Sequence, residues 1–208
     1  MSNLCALPEF ALSSLPMTWA NVAVISSSAE DRAALVAAIV KQAGAEAEVH
    51  TLAEDDWRVR LSELEQQDCE EDESITLVVL DSVISIRNRS APALISALNS
   101  ALSVVISSSG ADSLPQQSWE VGSAQTLDYV FVRAQSPEGL WLLWLSFAKR
   151  FFTYKFFLKL CVENCTGGWL VMHSLGEEVN FFTLKELPVE SSPKAVAPST
   201  WFEYLKFW

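Results

Sequence analysis

Leu77-Val78-Val79-Leu80-Asp81 is a short apolar run that ends in an acid. A run this short, apolar on both alternating faces, reads as a strand buried on both sides, the mark of a parallel sheet covered by helices. Two more runs share the design. Val104-Val105-Ile106 ends in the hydroxyls Ser107 and Ser108, and Tyr129-Val130-Phe131-Val132 ends in the base Arg133. Ligands and chemistry collect at the carboxyl ends of such strands. Asp81, Ser107 and Arg133 are therefore the first candidate site residues, expected together at one edge of the sheet.

Reading outward, Trp19 to Ile25 forms a first strand with Ser26-Ser27-Ser28 as its exit loop. Ser28 is placed to cap a helix whose first turn carries Glu30 and Asp31, acids that suit the positive end of the helix dipole. Leu35, Ala38, Ile39 and Ala43 recur at helical spacing, and Gly44 is a stop signal. A second strand covers 45–52 and a second helix follows, with Trp57, Leu61 and Leu64 on one face. The acidic run Asp68 to Glu73 is a solvated loop. A third helix is expected over 91–102, a fourth strand over 103–106, and a fifth over 127–132. Pro137 fits the first turn of a last helix beginning near Ser136. Strand alternates with helix through short connections, which gives an α/β fold with a doubly wound, five-stranded parallel sheet. Residues 1–18 read as a leader, 19–160 as the α/β domain and 161–208 as a C-terminal extension. In the extension, Trp169 to His173 and Val179 to Leu184 can pair as a β-hairpin. The Pro/Ser-rich stretch 188–200 reads as a linker, and an aromatic tail follows it.

The 208 residues are 50% hydrophobic and carry a formal charge of -12. A packed core is within reach, and nucleic acid is excluded as the main partner because phosphate binding needs a basic footprint. The charge is uneven: residues 1–138 hold 20 acids and 7 bases, whereas 139–208 hold 6 acids and 7 bases. Four cysteines, Cys5, Cys69, Cys161 and Cys165, do not make a disulfide framework in a chain of this length. The opening residues lack a basic signal region, so the expected location is cytoplasmic. Cys161 and Cys165 are four apart, but with only His50 and His173 elsewhere no four-ligand metal site can be assembled, and none is expected.

The segments Val22 to Gly44, Leu77 to Asp81, and Asp128 to Arg133 followed by Ser136-Pro137-Glu138-Gly139-Leu140 resemble the receiver domains of two-component signalling. The resemblance covers roughly 20–150 and implies a flavodoxin-like sheet. It also implies that Asp81 stands where receivers accept a phosphoryl group, Ser107 where they place a switch hydroxyl, and Arg133 where they carry a lysine. It further places Ser27 and Ser28 where receivers hold magnesium with two acids. Serines are poor substitutes, since magnesium prefers carboxylate oxygens. The lysine–proline step of the family is Arg133-Ala134 here, and Arg differs from Lys in reach and geometry. The resemblance thus implies a catalytically degenerate, receiver-like signalling or protein-interaction module that is not efficiently phosphorylated.

Other chemistries find little support. No glycine-rich phosphate loop follows the first strand, no nucleophile–base set is evident, and no cofactor is expected. The balance is against an enzyme. One alternative remains a Rossmann-like structural subdomain of an enzyme without its cofactor loop. The aromatic belt from Trp141 to Phe157 carries the interaction reading. Trp141, Trp144, Phe151 and Phe152, with Trp201 and Trp208 of the tail, are the expected surface for a protein partner or self-association. A helix apolar all round must be covered on more than one side. Lys149, Arg150, Lys155 and Lys159 make the belt a poor membrane span, yet they keep open a peripheral membrane-binding module over 139–160.

Overall fold

The computed structural model describes residues 7–16, 20–44, 47–52, 57–67, 76–80, 102–110, 127–133, 135–145, 149, 152–165, 167–175 and 178–185. Within these lie the strands β1 (Asn21–Ser26), β2 (Glu48–Leu52), β3 (Thr76–Leu80), β4 (Ser103–Ser108), β5 (Tyr129–Arg133), β6 (Gly168–Leu175) and β7 (Glu178–Lys185). The helices are α1 (Ala29–Ala43), α2 (Trp57–Gln67), α3 (Pro137–Leu143) and α4 (Tyr154–Asn164). The expected helix over 91–102 lies outside the described residues.

All seven strands join one sheet in the order β2-β3-β4-β1-β5-β6-β7. The first five are mutually parallel. The β6–β7 hairpin is antiparallel and continues the sheet from β5, with Val132 opposite Leu170 and Tyr129 opposite His173. One expectation is corrected here: the sheet has seven strands rather than five, because the expected hairpin joins it. The reason is that β5 buries side chains on both faces, so its second edge needs backbone partners away from water, and β6 supplies them. The strand order also departs from the flavodoxin-like 2-1-3-4-5 arrangement, in which β1 separates β2 from β3. Here β2 pairs directly with β3, and β1 lies between β4 and β5. Leu77–Leu80 is an interior parallel strand, as its apolar character requires.

Helices cover both faces. α1 lays Leu35 and Ile39 against Val22, Val24, Val79 and Val105. On the opposite face α2, α3 and α4 bring Leu61, Leu140, Leu143 and Phe157 against Val78, Ile106, Val130 and Val132. α1 forms as its sequence dictates. The Ser28 hydroxyl accepts the Asp31 N–H at 3.1 Å, and the helix stops at Gly44, whose φ of 91° is open to glycine. Of the stretch read in sequence as leader, Phe10, Leu12 and Leu15 pack on the α1 face and Leu7 on the other. Phe10 is buried against the rings of Tyr129, Phe131 and Phe182, and the Phe10 N–H donates to the Thr183 carbonyl at 2.8 Å. That strap occupies the outer edge of β7.

The aromatic segment after Ser136 is not one helix. After α3 the Lys149 N–H donates to the Trp144 carbonyl at 2.7 Å, and α4 starts where the Thr153 hydroxyl accepts the Phe156 N–H. No helix among the described residues is long and apolar enough to cross a membrane.

The burial of α4 is directional. Phe157 is fully buried, whereas its neighbour Phe156 is 37% exposed. Phe157→Ala should lower unfolding free energy by about 3–5 kcal/mol in urea titrations. Phe156→Ala should cost less than about 1 kcal/mol. Equal losses would show that α4 packs in another register.

Candidate functional site

At the carboxyl edge, β1 runs into α1 through Ser27 and Ser28 alone. The turn is bonded internally. The Ser28 N–H donates to the Ser26 hydroxyl at 3.2 Å, and the Ser28 hydroxyl in turn accepts from Asp31. Arg32, 8% exposed on the inner face of α1, donates through Nη1 to the Ser26 carbonyl. Its Nε has no hydrogen-bond partner among the described residues.

Arg133 ends β5 directly opposite Ser26. Its Nε lies 3.4 Å from Oδ2 of Asp31, with both side chains half-buried, and its guanidinium sits 6.0 Å from the ring centre of Trp169. Beside it Gln135, also buried, donates to the carbonyls of Ser109 and Arg133. Ser107 is fully buried, and its hydroxyl finds no partner among the described residues. The Ser108 hydroxyl donates to the Gly110 carbonyl at 2.7 Å.

Of the three sequence candidates, Ser107 and Arg133 both end strands at the carboxyl edge. Asp81 lies outside the described residues. Ser107 and Arg133 stand on β4 and β5, which are separated by β1. Two strand spacings are about 10 Å. The ion pair that forms is Arg133 with Asp31. Sequence reading placed Asp31 only as a dipole-satisfying acid. Its second role depends on β5 lying next to β1, which no local pattern encodes.

The aromatic belt makes a second feature, on the opposite face of the sheet. Trp141, Trp144 and Tyr154 pack against one another with ring centres 4.7–5.6 Å apart. The Trp144 indole N–H donates to the Phe152 carbonyl at 2.7 Å, and the Tyr154 hydroxyl to the Pro137 carbonyl at 3.3 Å. The cluster staples α3 to α4. Rings this close leave no gap between them for a ligand. Phe152 also meets Phe156 and Phe181, tying α4 to β7. Trp141 (43% exposed), Leu142, Leu145 and Phe156 remain exposed, as do Lys149 and Lys155. Phe151, Trp201 and Trp208 lie outside the described residues.

Of the cysteines, Cys161 is buried, and burial chiefly, with neighbouring Cys165, pushes its thiol well above the usual range. It stays protonated and is a poor nucleophile or metal ligand. Among the described residues no three His, Cys, Asp or Glu side chains are grouped to hold a metal ion.

The amino edge holds a further polar pair. Asp128 accepts the Asn21 N–H at 2.8 Å, and burial raises its carboxyl pKa against that bond and His173. His173 stacks flat on Tyr129 at 4.3 Å, and burial lowers its pKa, partly offset by Asp128.

No protein-family model matches the sequence, and no curated protein does. Two solved structures share the fold, both of the genome packaging NTPase B204 from Sulfolobus turreted icosahedral virus 2. The complex with AMPPCP has a TM-score of 0.52 at 7% identity, covering 81% of this chain and 100% of that one. The complex with AMP has a TM-score of 0.54 at 9% identity, covering 78% and 96%. At such identity the likeness is one of fold.

His173 gives a test by pH. Its folded-state pKa lies below the unfolded value of about 6.5, so the unfolded chain binds the proton more readily between the two values. Stability should fall as pH drops through 6.5. Replacing His173 by Phe, which keeps the stack, should flatten that part of the urea-midpoint profile. An identical slope in both proteins would remove His173 from the account.

Proposed function

We propose that this chain is a catalytically silent α/β module that acts through protein–protein contacts, its sheet serving as scaffold rather than reaction site. The observation that carries the proposal is the occupied turn between β1 and α1. A phosphate-binding turn needs backbone N–H groups free to face an anion at the helix start. In this chain the Ser28 and Asp31 N–H groups are taken by Ser26 and Ser28, and the Asp31–Arg133 pair lies over the same end. No glycine lies between β1 and α1, so the backbone has no loop with which to wrap a phosphate.

This module would work without the switch chemistry that the receiver resemblance implied. Arg133 is engaged with Asp31, and β1 stands between the strands of Ser107 and Arg133. The expected contact surface is the α3–α4 aromatic face, where exposed Trp141, Leu142, Leu145 and Phe156 offer the large apolar anchors that protein interfaces use.

A second reading keeps the fold likeness in view. The two NTPase structures are described as complexes with nucleotides, and a sheet of this type that has lost its phosphate loop would be a structural subdomain of a nucleotide enzyme. Both readings predict a silent edge.

Incubation with magnesium and a small phosphodonor, followed by intact-mass measurement, should show no stable adduct. Calorimetric titration with magnesium-ATP should show no saturable heat into the millimolar range. An adduct lost in Asp81→Asn would restore the receiver chemistry. Saturable nucleotide binding weakened by Arg133→Ala would overturn the silent-edge proposal.

A further inference from the structure

The two ends of the sheet are finished differently. At β7 the segment around Phe10 lies along the outer edge and exchanges backbone hydrogen bonds with Thr183. At the other end β2 is paired with β3 on one side, and among the described residues no strand pairs with its other side. In a parallel strand, alternate residues turn their N–H and C=O groups to opposite sides. One alternating set of β2 backbone groups therefore faces outward, the arrangement that accepts an added strand. A cavity of about 350 Å³ is lined by the consecutive residues Val49–Leu52 and by Arg60, Glu63 and Leu64 of α2. A space confined to one face of the sheet would meet only every second residue of the strand. The cavity is thus a trough along the edge of β2, with α2 as its wall.

The chemistry of the trough selects its occupant. Leu52 packs with Leu61 and Leu64 of α2, so by alternation Glu48 and His50 share the α2 side while Val49 and Thr51 face the other way. The exposed carboxylates Glu48 and Glu63 are loosely held. Glu63 pairs with Arg60 at 2.9 Å on an exposed helix turn, and Glu48 lies 3.0 Å from His50 Nε2, which makes no hydrogen bond among the described residues. Exposed pairs of this kind contribute little and give way to a competing cation. Residues 45–67 hold seven acids against two arginines, and the whole chain carries a charge of -12. A cationic segment is attracted to such a surface, whereas a second copy of the chain is repelled. On the other side Val49, 37% exposed, offers an apolar contact.

We propose that the trough between β2 and α2 takes an extended segment of a partner protein as an added strand, with basic side chains toward Glu48 and Glu63 and apolar ones alternating toward Val49. Backbone hydrogen bonds to β2 supply the affinity, and the alternation of side chains supplies the selectivity. The site is separate from the α3–α4 segment and does not depend on what that segment meets.

The probe is a fluorescein-labelled peptide, Lys-Val-Lys-Val-Lys-Val-Lys, titrated with the full chain in anisotropy measurements, with Glu-Val-Glu-Val-Glu-Val-Glu as control. The lysine peptide should bind saturably. Glu48→Lys/Glu63→Lys should weaken it about tenfold, the swing expected when two favourable charge contacts become repulsive. Both positions are exposed, so the variant should keep the urea midpoint of the unaltered protein. Hydrogen exchange then reads the backbone. In the complex the amides of one alternating set, either Glu48, His50 and Leu52 or Val49 and Thr51, should slow by about tenfold or more while the other set is unchanged. No saturable binding into the millimolar range, or equal binding of the two peptides, would overturn the proposal. Binding that survives the double substitution unchanged would place the peptide elsewhere, with the same consequence. Binding without the alternating protection would reduce the site to a charge contact and overturn strand addition. Protection of the same amides in a peptide-free dimer, seen by sedimentation, would assign the edge to a second copy and overturn the proposal.

Discussion

The pairing of β5 on both of its edges is the constraint from which the rest of the molecule follows. One edge is bonded in parallel to β1 and the other antiparallel to β6. Its side chains are buried on both faces, so neither edge can be left without partners at modest cost. The first pairing brings Arg133 opposite Ser26 and within reach of Asp31. The second turns the 168–185 hairpin into sheet and carries Trp169 beneath the guanidinium. It also positions β7 to receive Phe10 on one face and Phe152 on the other.

This constraint explains why, among the described residues, the charged side chains at the carboxyl ends of β1 and β5 are engaged with neighbours. Arg32, Asp31, Arg133 and Gln135 engage each other or nearby backbone groups. Charges in such a place need partners, because desolvation of an unpaired ion costs several kcal/mol. Two loose ends remain, the Ser107 hydroxyl and Nε of Arg32, neither with a hydrogen bond among the described residues. Among the described residues, exposed large apolar side chains occur instead on α2 (Val59), on β2 (Val49) and along the α3–α4 segment (Trp141, Leu142, Leu145 and Phe156).

Much of the fold was legible in local sequence. The Ser28 cap, the Gly44 stop, the interior strand Leu77–Leu80 and the Ser136-Pro137 helix start depend on neighbours a few residues away, and all appear where periodicity and capping place them. The hairpin strands were legible too, but not the strand they would join. Adjacency in a sheet is decided by contacts far apart in sequence, and an apolar run such as Val104–Ile106 looks the same beside β1 as beside β5. The break between α3 and α4 was hidden because apolar residues continue through it. Only the Thr153 cap marks the restart. For the site, the residue types at the strand ends could be read, whereas the Asp31–Arg133 pair followed from strand order alone. Phe10 gave no local sign that it would be core.

The central claim is that the hairpin and the parallel strands form one cooperative sheet. Native-state hydrogen exchange of individual backbone amides tests it most directly. The account predicts that the β6 amides bonded to β5, such as those around Leu170 to Met172, open with the same free energy and the same denaturant dependence as the amides of β1. Exchange of the β6 amides by a separate, lower-energy opening while β5 stayed protected would contradict it.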